Sequence, residues 1–216
     1  QRFSILNIRH RQNTLISSPT GSGKTLSAFL AIINELIALS DENLLEDRTY
    51  CVYISPLKAL INDQVLRLED LFGACELPVH PWHGDIGSTK KSGFEKDPRG
   101  VLLITPESLE SIFVRRGFYV PATFSVLTAV VVDELHSFIN TERGLQLTSL
   151  LCRLEVALGR RVPRIGLSAT LGDMSMAADF LRPGEAQAVR LVTSTAAGQE
   201  LRLLIKGYRE PVFDPS

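Results

Sequence analysis

Little in this sequence points to a cross-linked, metal-clustered or membrane-spanning protein. Its 216 residues include three cysteines, Cys51, Cys75 and Cys152, an odd number without a C-x-x-C pair. That excludes a disulfide framework or cysteine zinc site and reads as reduced thiols in a cytoplasmic setting. Long apolar runs are missing too. The stretch Ile32–Leu39 is interrupted by Asn34 and Glu35, so nothing spans a membrane, and no signal peptide is visible. Net charge is almost absent, at −1, so any nucleic-acid partner has to be argued from local features. No internal repeat occurs. What remains is ordinary: 44% hydrophobic and 22% charged residues, which excludes disorder, in a length suited to one compact domain. The chain opens on Gln1 without a methionine, so a longer parent protein is expected.

Short apolar runs alternate with longer amphipathic stretches, the pattern of β-α units around a parallel sheet. Strands are predicted at Thr14–Ser17, Tyr50–Ser55, Val79–Trp82, Val101–Thr105, Ala129–Asp133 and Arg164–Ser168, with two more at Ala188–Val192 and Leu201–Lys206. Helices are predicted at Lys24–Leu39, Leu57–Phe72, Glu107–Arg115, Gly144–Leu158 and Met174–Leu181. In the first helix, Leu26, Phe29, Leu30, Ile33, Leu36 and Ile37 fall at helical spacing and are expected to pack on the sheet. Ser40–Arg48 and Gly84–Gly100 read as surface connections, the second locally basic through Lys90, Lys91, Lys96 and Arg99. The segment Gly207–Ser216, with Pro211 and Pro215, reads as the start of a linker.

In such a sheet, chemistry sits where strands end and helices begin. Ser18-Pro19-Thr20-Gly21-Ser22-Gly23-Lys24-Thr25 follows a strand and opens a helix, the context a phosphate-binding loop requires. Gly21 and Gly23 let the backbone curl into an anion nest, and the helix start adds its positive end. Lys24 then reaches the β- and γ-phosphates while the Thr25 hydroxyl ligates Mg²⁺. Ser18 stands where the strict pattern wants glycine. The bland reading, a Gly-Ser turn before an ordinary helix, does not need Lys-Thr in this place.

Val130-Val131-Val132-Asp133-Glu134-Leu135-His136 puts two carboxylates at the end of a buried strand, a costly arrangement unless a cation or water compensates them. Asp133 is expected to hold Mg²⁺ through its water shell, and Glu134 to orient and deprotonate the attacking water. The alternative, an acidic helix cap, leaves the upstream phosphate loop unexplained. His136 either links this strand end to the next or is a solvated histidine.

With these residues in place the chain resembles superfamily 2 helicases along nearly its whole length. The family's motifs stand in its order: Ser18–Thr25, Ser55-Pro56-Leu57-Lys58-Ala59-Leu60, Thr105-Pro106-Glu107-Ser108-Leu109, Asp133-Glu134-Leu135-His136 and Ser168-Ala169-Thr170. Gln1 lies where the adenine-reading glutamine usually sits. Ser-Pro-Leu-Lys-Ala-Leu, Trp82-His83-Gly84-Asp85, Thr-Pro-Glu-Ser-Leu and Glu142-Arg143-Gly144 look most like the Lhr-like branch of the DExH proteins, although Leu135 replaces the branch's common valine. The resemblance implies a three-layer RecA-like α/β domain over residues 1–206, a linker from 207, and a second RecA-like lobe outside this chain. It implies ATP with Mg²⁺ as cofactors and single-stranded DNA, or RNA, as partner.

Catalytic work falls on Glu134, Lys24, Asp133 and His136. Nucleotide binding falls on Gln1, Pro19, Thr20, Gly21, Ser22, Gly23, Lys24 and Thr25, and strand contacts on Lys58, Thr105, Ser108 and Arg143. Ser168 and Thr170 would couple the two sites. Members of the branch usually run 3′ to 5′ on single-stranded DNA. Because arginines of the second lobe complete the ATP site, residues 1–216 alone are expected to hydrolyse ATP hardly at all. Two other readings stay open: a translocase that moves on duplex without separating it, and an ATP-gated nucleic-acid scaffold. Trp82 and His83 admit either base stacking or core packing. Thr105-Pro106 also reads as a plain strand-to-helix stop, and Lys58 as a solvated lysine.

Overall fold

Among the described residues, seven strands join side by side: β1 (Asn13–Ser17), β2 (Thr49–Ile54), β3 (Val79–Trp82), β4 (Gly100–Ile104), β5 (Ala129–Val132), β6 (Arg164–Ser168) and β7 (Val189–Thr193). Their order is β3-β4-β2-β5-β6-β1-β7, and every pairing is parallel. The structure, a computed structural model, describes residues 2–19, 21–73, 76–169 and 171–194. Gln1, Thr20, Thr170, the strand expected at Leu201–Lys206 and the linker at Gly207–Ser216 lie outside them.

The central strands β2, β4 and β5 are almost wholly apolar and fully buried because both faces of the sheet are covered there, whereas the edge strand β7 is largely exposed. Successive side chains point to opposite sides. Val52, Ile54, Leu102, Ile104, Val130 and Val132 thus enter one core layer, and Cys51, Tyr53, Val101, Leu103 and Val131 the other. Helices α1 (Arg2–Arg9), α2 (Lys24–Asp41) and α3 (Lys58–Gly73) cover the second layer through Ile8, Phe29, Ile32, Leu36, Ile61 and Phe72. Helices α4 (Ser88–Lys96), α5 (Pro106–Arg116), α6 (Val120–Thr123), α7 (Glu142–Leu158) and α8 (Met174–Leu181) lie on the first, through residues such as Phe94, Leu109, Val120, Leu150 and Leu181. This is the expected three-layer α/β sandwich.

Three sequence expectations need correction. Gly84–Gly100 is not simply a connection but contains α4, whose one buried residue is Phe94; a helix polar on nearly every side leaves no apolar period to read. Helix α1 was not marked at all, being two turns long with Ser4 and Ile8 as its buried residues. On α2 the buried arc runs through Ala28, Phe29, Ala31, Ile32, Ile33 and Leu36, while Leu26, Leu30 and Ile37 stay exposed. The arc is turned because α2 packs against α1 as well as the sheet, while Phe29 also meets Phe72 of α3 edge-on at 5.8 Å.

All strands being parallel, their carboxyl ends share one rim. The opposite rim is closed by a buried ionic cluster that the sequence did not announce. Glu155 of α7 accepts from Arg164, which starts β6, at 2.9 Å and from Arg182, just past α8, at 2.7 Å. Its Oε1 also takes the Val162 N–H, and the Asn13 side chain at the start of β1 accepts from the Arg164 backbone and the Arg182 Nε.

Gly144 is fixed by space. A Cβ on Gly144, in the first turn of α7, would sit 1.9 Å from the Phe138 carbonyl oxygen. Gly144→Ala is expected to lower stability by about 1–3 kcal/mol, read in a urea titration, because backbone has to move to admit the methyl.

Candidate nucleotide and nucleic-acid sites

The phosphate loop leaves β1 and closes on the start of α2. Gly21 (φ 79°) and Gly23 (φ 82°) are both left-handed, the conformation glycine takes at least cost, and Gly23 caps α2. The serine that replaces the first expected glycine has a use: Ser18 Oγ lies 2.6 Å from Ser22 Oγ, bracing the loop across its base. The Lys24 ammonium donates to the Ser18 carbonyl at 2.6 Å. Burial lowers its pKa, against the opposing pull of the Glu134 and Asp133 carboxylates.

Those carboxylates end β5. Asp133 is buried and held at both oxygens: Oδ1 accepts the Glu134 N–H at 2.9 Å, and Oδ2 accepts the hydroxyl of Tyr53. Tyr53 is fully buried in β2, one strand over. Burial first, then the charge of Asp133, pushes its phenol well above the ordinary range, so it remains a donor. Sequence reasoning missed Tyr53, since only the pairing of β2 with β5 brings it to Asp133. Glu134 itself is left-handed (φ 47°), a conformation that costs a non-glycine residue energy and gathers at functional sites.

His136 does link strand ends. Its Nδ1 lies 3.3 Å from Glu134 Oε2 and 3.2 Å from the hydroxyl of Ser168, which is buried at the end of β6. A second tie runs through Ser17, at the end of β1. Its hydroxyl donates to the Ala169 carbonyl at 3.1 Å and accepts the Leu171 N–H at 3.3 Å.

Between the loop and α3 lies a cleft of about 480 Å³ lined by Gly21, Lys24, Thr25, Asp133, Glu134 and, unforeseen, Arg67. No trio of metal-ligating side chains gathers among the described residues. Mg²⁺ does not need one, because it keeps several waters and binds through one or two protein oxygens plus phosphates. The Thr25 hydroxyl and the fixed Asp133 carboxylate fit that requirement.

A second cavity, of about 760 Å³, brings together all four residues assigned to the strand: Lys58, Thr105, Ser108 and Arg143. Helix α5 presents Ser108, Ser111 and Arg115 along it, with Lys91 of α4 opposite. Arg115 was not singled out beforehand. Thr105 is also the strand-to-helix stop that its proline suggested: it caps α5, taking the Ser108 N–H at 3.4 Å and donating to the Ser108 hydroxyl at 3.1 Å. Lys58 is not simply solvated, since it pairs with Asp85 at 2.8 Å. Trp82 is packed edge-on against Phe94 at 5.3 Å, and His83 is buried with Nε2 2.9 Å from the Asn62 side chain. Trp82 is thus a core residue that also lines the groove, and His83, itself buried, is held by that polar contact.

Comparison with known proteins agrees with this geometry. The family profile described as DEAD/DEAH box helicase matches residues 1–177. The chain is 42% identical over 192 residues to the ATP-dependent helicase Lhr-Core of Methanothermobacter thermautotrophicus, covering 84% of this chain and 22% of that protein. It is 33% identical over 186 residues to the Lhr helicase/uracil glycosylase of Escherichia coli, covering 79% and 12%. The structure of the Mycobacterium smegmatis helicase Lhr bound to ssDNA and AMP-PNP matches with a TM-score of 0.75 and 33% identity, over 90% of this chain and 25% of that one. The chain thus spans less than a quarter of the curated relatives it matches. With the loop, the acid pair and the groove all inside or beside the matched span, this chain belongs to the DEAD/DEAH box helicase family.

Proposed function

We propose that this chain is the first RecA-like lobe, over residues 1–206, of an ATP-driven motor that moves along and unwinds nucleic acid. Single-stranded DNA is the favoured track, because the similar Lhr structure holds ssDNA with AMP-PNP. The observation that carries the reading is the continuous tie from cleft to strand end, Glu134 to His136 to Ser168, on a rim that also holds the groove. Lys24 and the glycine nest would take the phosphates, Gln1 the adenine, and Glu134 the proton of the attacking water. Thr25 and Asp133 would hold Mg²⁺, which when bound neutralises charge on the β- and γ-phosphates. Lys58, Thr105, Ser108 and Arg143 would grip phosphates rather than bases, suiting a motor that steps along any sequence. A second lobe of the same protein would complete the ATP site, with the linker beginning near residue 207.

The test is strand displacement and ATP turnover measured together on the intact protein, wild type against Ser168→Ala with Thr170→Ala. We expect the variant to keep ATP turnover while separating fewer base pairs per ATP. Equal unwinding per ATP would count against the coupling role. Triplex displacement without strand separation by the wild type would favour the duplex-translocase reading, and ATP binding without DNA-stimulated hydrolysis the scaffold.

A further inference from the structure

Both motif cations in the groove are already paired. Lys58 donates to Asp85 at 2.8 Å. Arg143 holds Glu107 with two nitrogens, Nη2 at 3.1 Å. Lys91 and Arg115, which line the same cavity, have no ion-pair partner among the described residues. The placement of the acids is specific. Asp85 follows Gly84, which itself lies against the end of the Lys58 side chain, so the loop brings its acid directly to the ammonium. Glu107 lies in the first turn of α5, the end of a helix where an anion is favoured. The Lys58 hydrogen bond holds the Asp85 carboxyl below its usual range. For Glu107, burial pushes upward most strongly, but the Arg143 contact together with its own backbone N–H and the Thr105 hydroxyl outweighs it. Both acids are therefore charged at neutral pH.

We infer that Asp85 and Glu107 occupy the phosphate seats on Lys58 and Arg143, so that a nucleic-acid strand reaches these cations by displacing an acid of the protein itself. The inference rests on the nucleic-acid reading above. Exposed ion pairs are weak and exchange readily, so displacement is cheap. When a phosphate leaves, the acid returns and no bare cation is left behind. Stepping then becomes a partner exchange rather than a bond broken outright, while Lys91 and Arg115 keep a standing hold.

The test is fluorescence anisotropy of a labelled oligothymidylate on the intact protein, without nucleotide and at fixed salt, with circular dichroism melts to verify folding. Asp85→Asn and Glu107→Gln are each expected to tighten binding about two- to fivefold, and together about tenfold. Asp85→Asn is expected to tighten binding far less in a Lys58→Ala background, and Glu107→Gln far less in an Arg143→Ala background. Equal tightening in those backgrounds would reveal a general field effect and overturn the inference, as would no tightening at all while Lys58→Ala and Arg143→Ala still weaken binding. If Lys58→Ala, Arg143→Ala and the Lys91→Ala/Arg115→Ala pair all bind as wild type does, the groove is not the strand site, and the reading beneath the inference falls with it.

Discussion

Glu134→Gln is expected to slow ATP turnover by about 10²–10⁴-fold while leaving nucleotide affinity nearly unchanged. The amide keeps the size of the side chain and its contact with His136, and it leaves Lys24, the glycine nest and Asp133 untouched. What it removes is the carboxylate proposed above as the base for the attacking water. The measurement is steady-state phosphate release beside equilibrium binding of a fluorescent nucleotide. Turnover within about threefold of wild type would assign the proton to another group, because a positioned base contributes far more than that.

The second large effect concerns stability. Glu155→Ala leaves the Arg164 and Arg182 guanidiniums, 2% and 5% exposed, without their shared counter-charge. Removing one member of a buried ionic group costs about 3–5 kcal/mol, since the remaining charge stays out of water unpaired. The melting temperature should fall by on the order of 10 °C for a chain this long. The exposed Arg161–Glu185 pair serves as contrast, and its loss should go unnoticed. Acid should mimic the effect. Burial pushes the Glu155 carboxyl upward, yet the Val162 N–H and the two arginines outweigh it and hold the pKa below the ordinary value of 4.5. The stabilisation is therefore complete above that value and is lost as pH falls through the lower native one. A Glu155→Ala melt unchanged at pH 7 would show that the cluster is merely tolerated.

These two residues also mark what the sequence could reveal. Glu134 was legible because its neighbours in the chain, an apolar strand before it and a histidine after it, carry the meaning locally. The central strands were legible for the same reason, each a buried apolar run. Glu155 was not: in the chain it is one acid in an amphipathic helix, and only the docking of α7, β6 and α8 brings its two arginines to it. Tyr53 and Arg67 were missed likewise, and Asp85 was read only as part of a family motif: Tyr53 and Asp85 owe their places to partners 80 and 27 residues away, and Arg67 to a helix packing that spacing does not encode. Helix α4 failed for the opposite reason, having almost nothing to bury.

The hydroxyl of Ser17 has a consequence of its own. Through it, the strand that bears the phosphate loop is sewn to the backbone just after β6, the hydroxyl donating to the Ala169 carbonyl and accepting the N–H of the following peptide, that of Leu171. The Ser18 N–H, donating to the Ser168 carbonyl at 3.3 Å, adds a second stitch between the same two segments, so a shift of the phosphate loop reaches Ser168 and Ala169 through main chain and one buried alcohol. The acid pair reaches that strand end by a separate line, the ring of His136. The first line contains no titratable side chain, so the loop and the end of β6 stay joined at any pH at which the protein is folded.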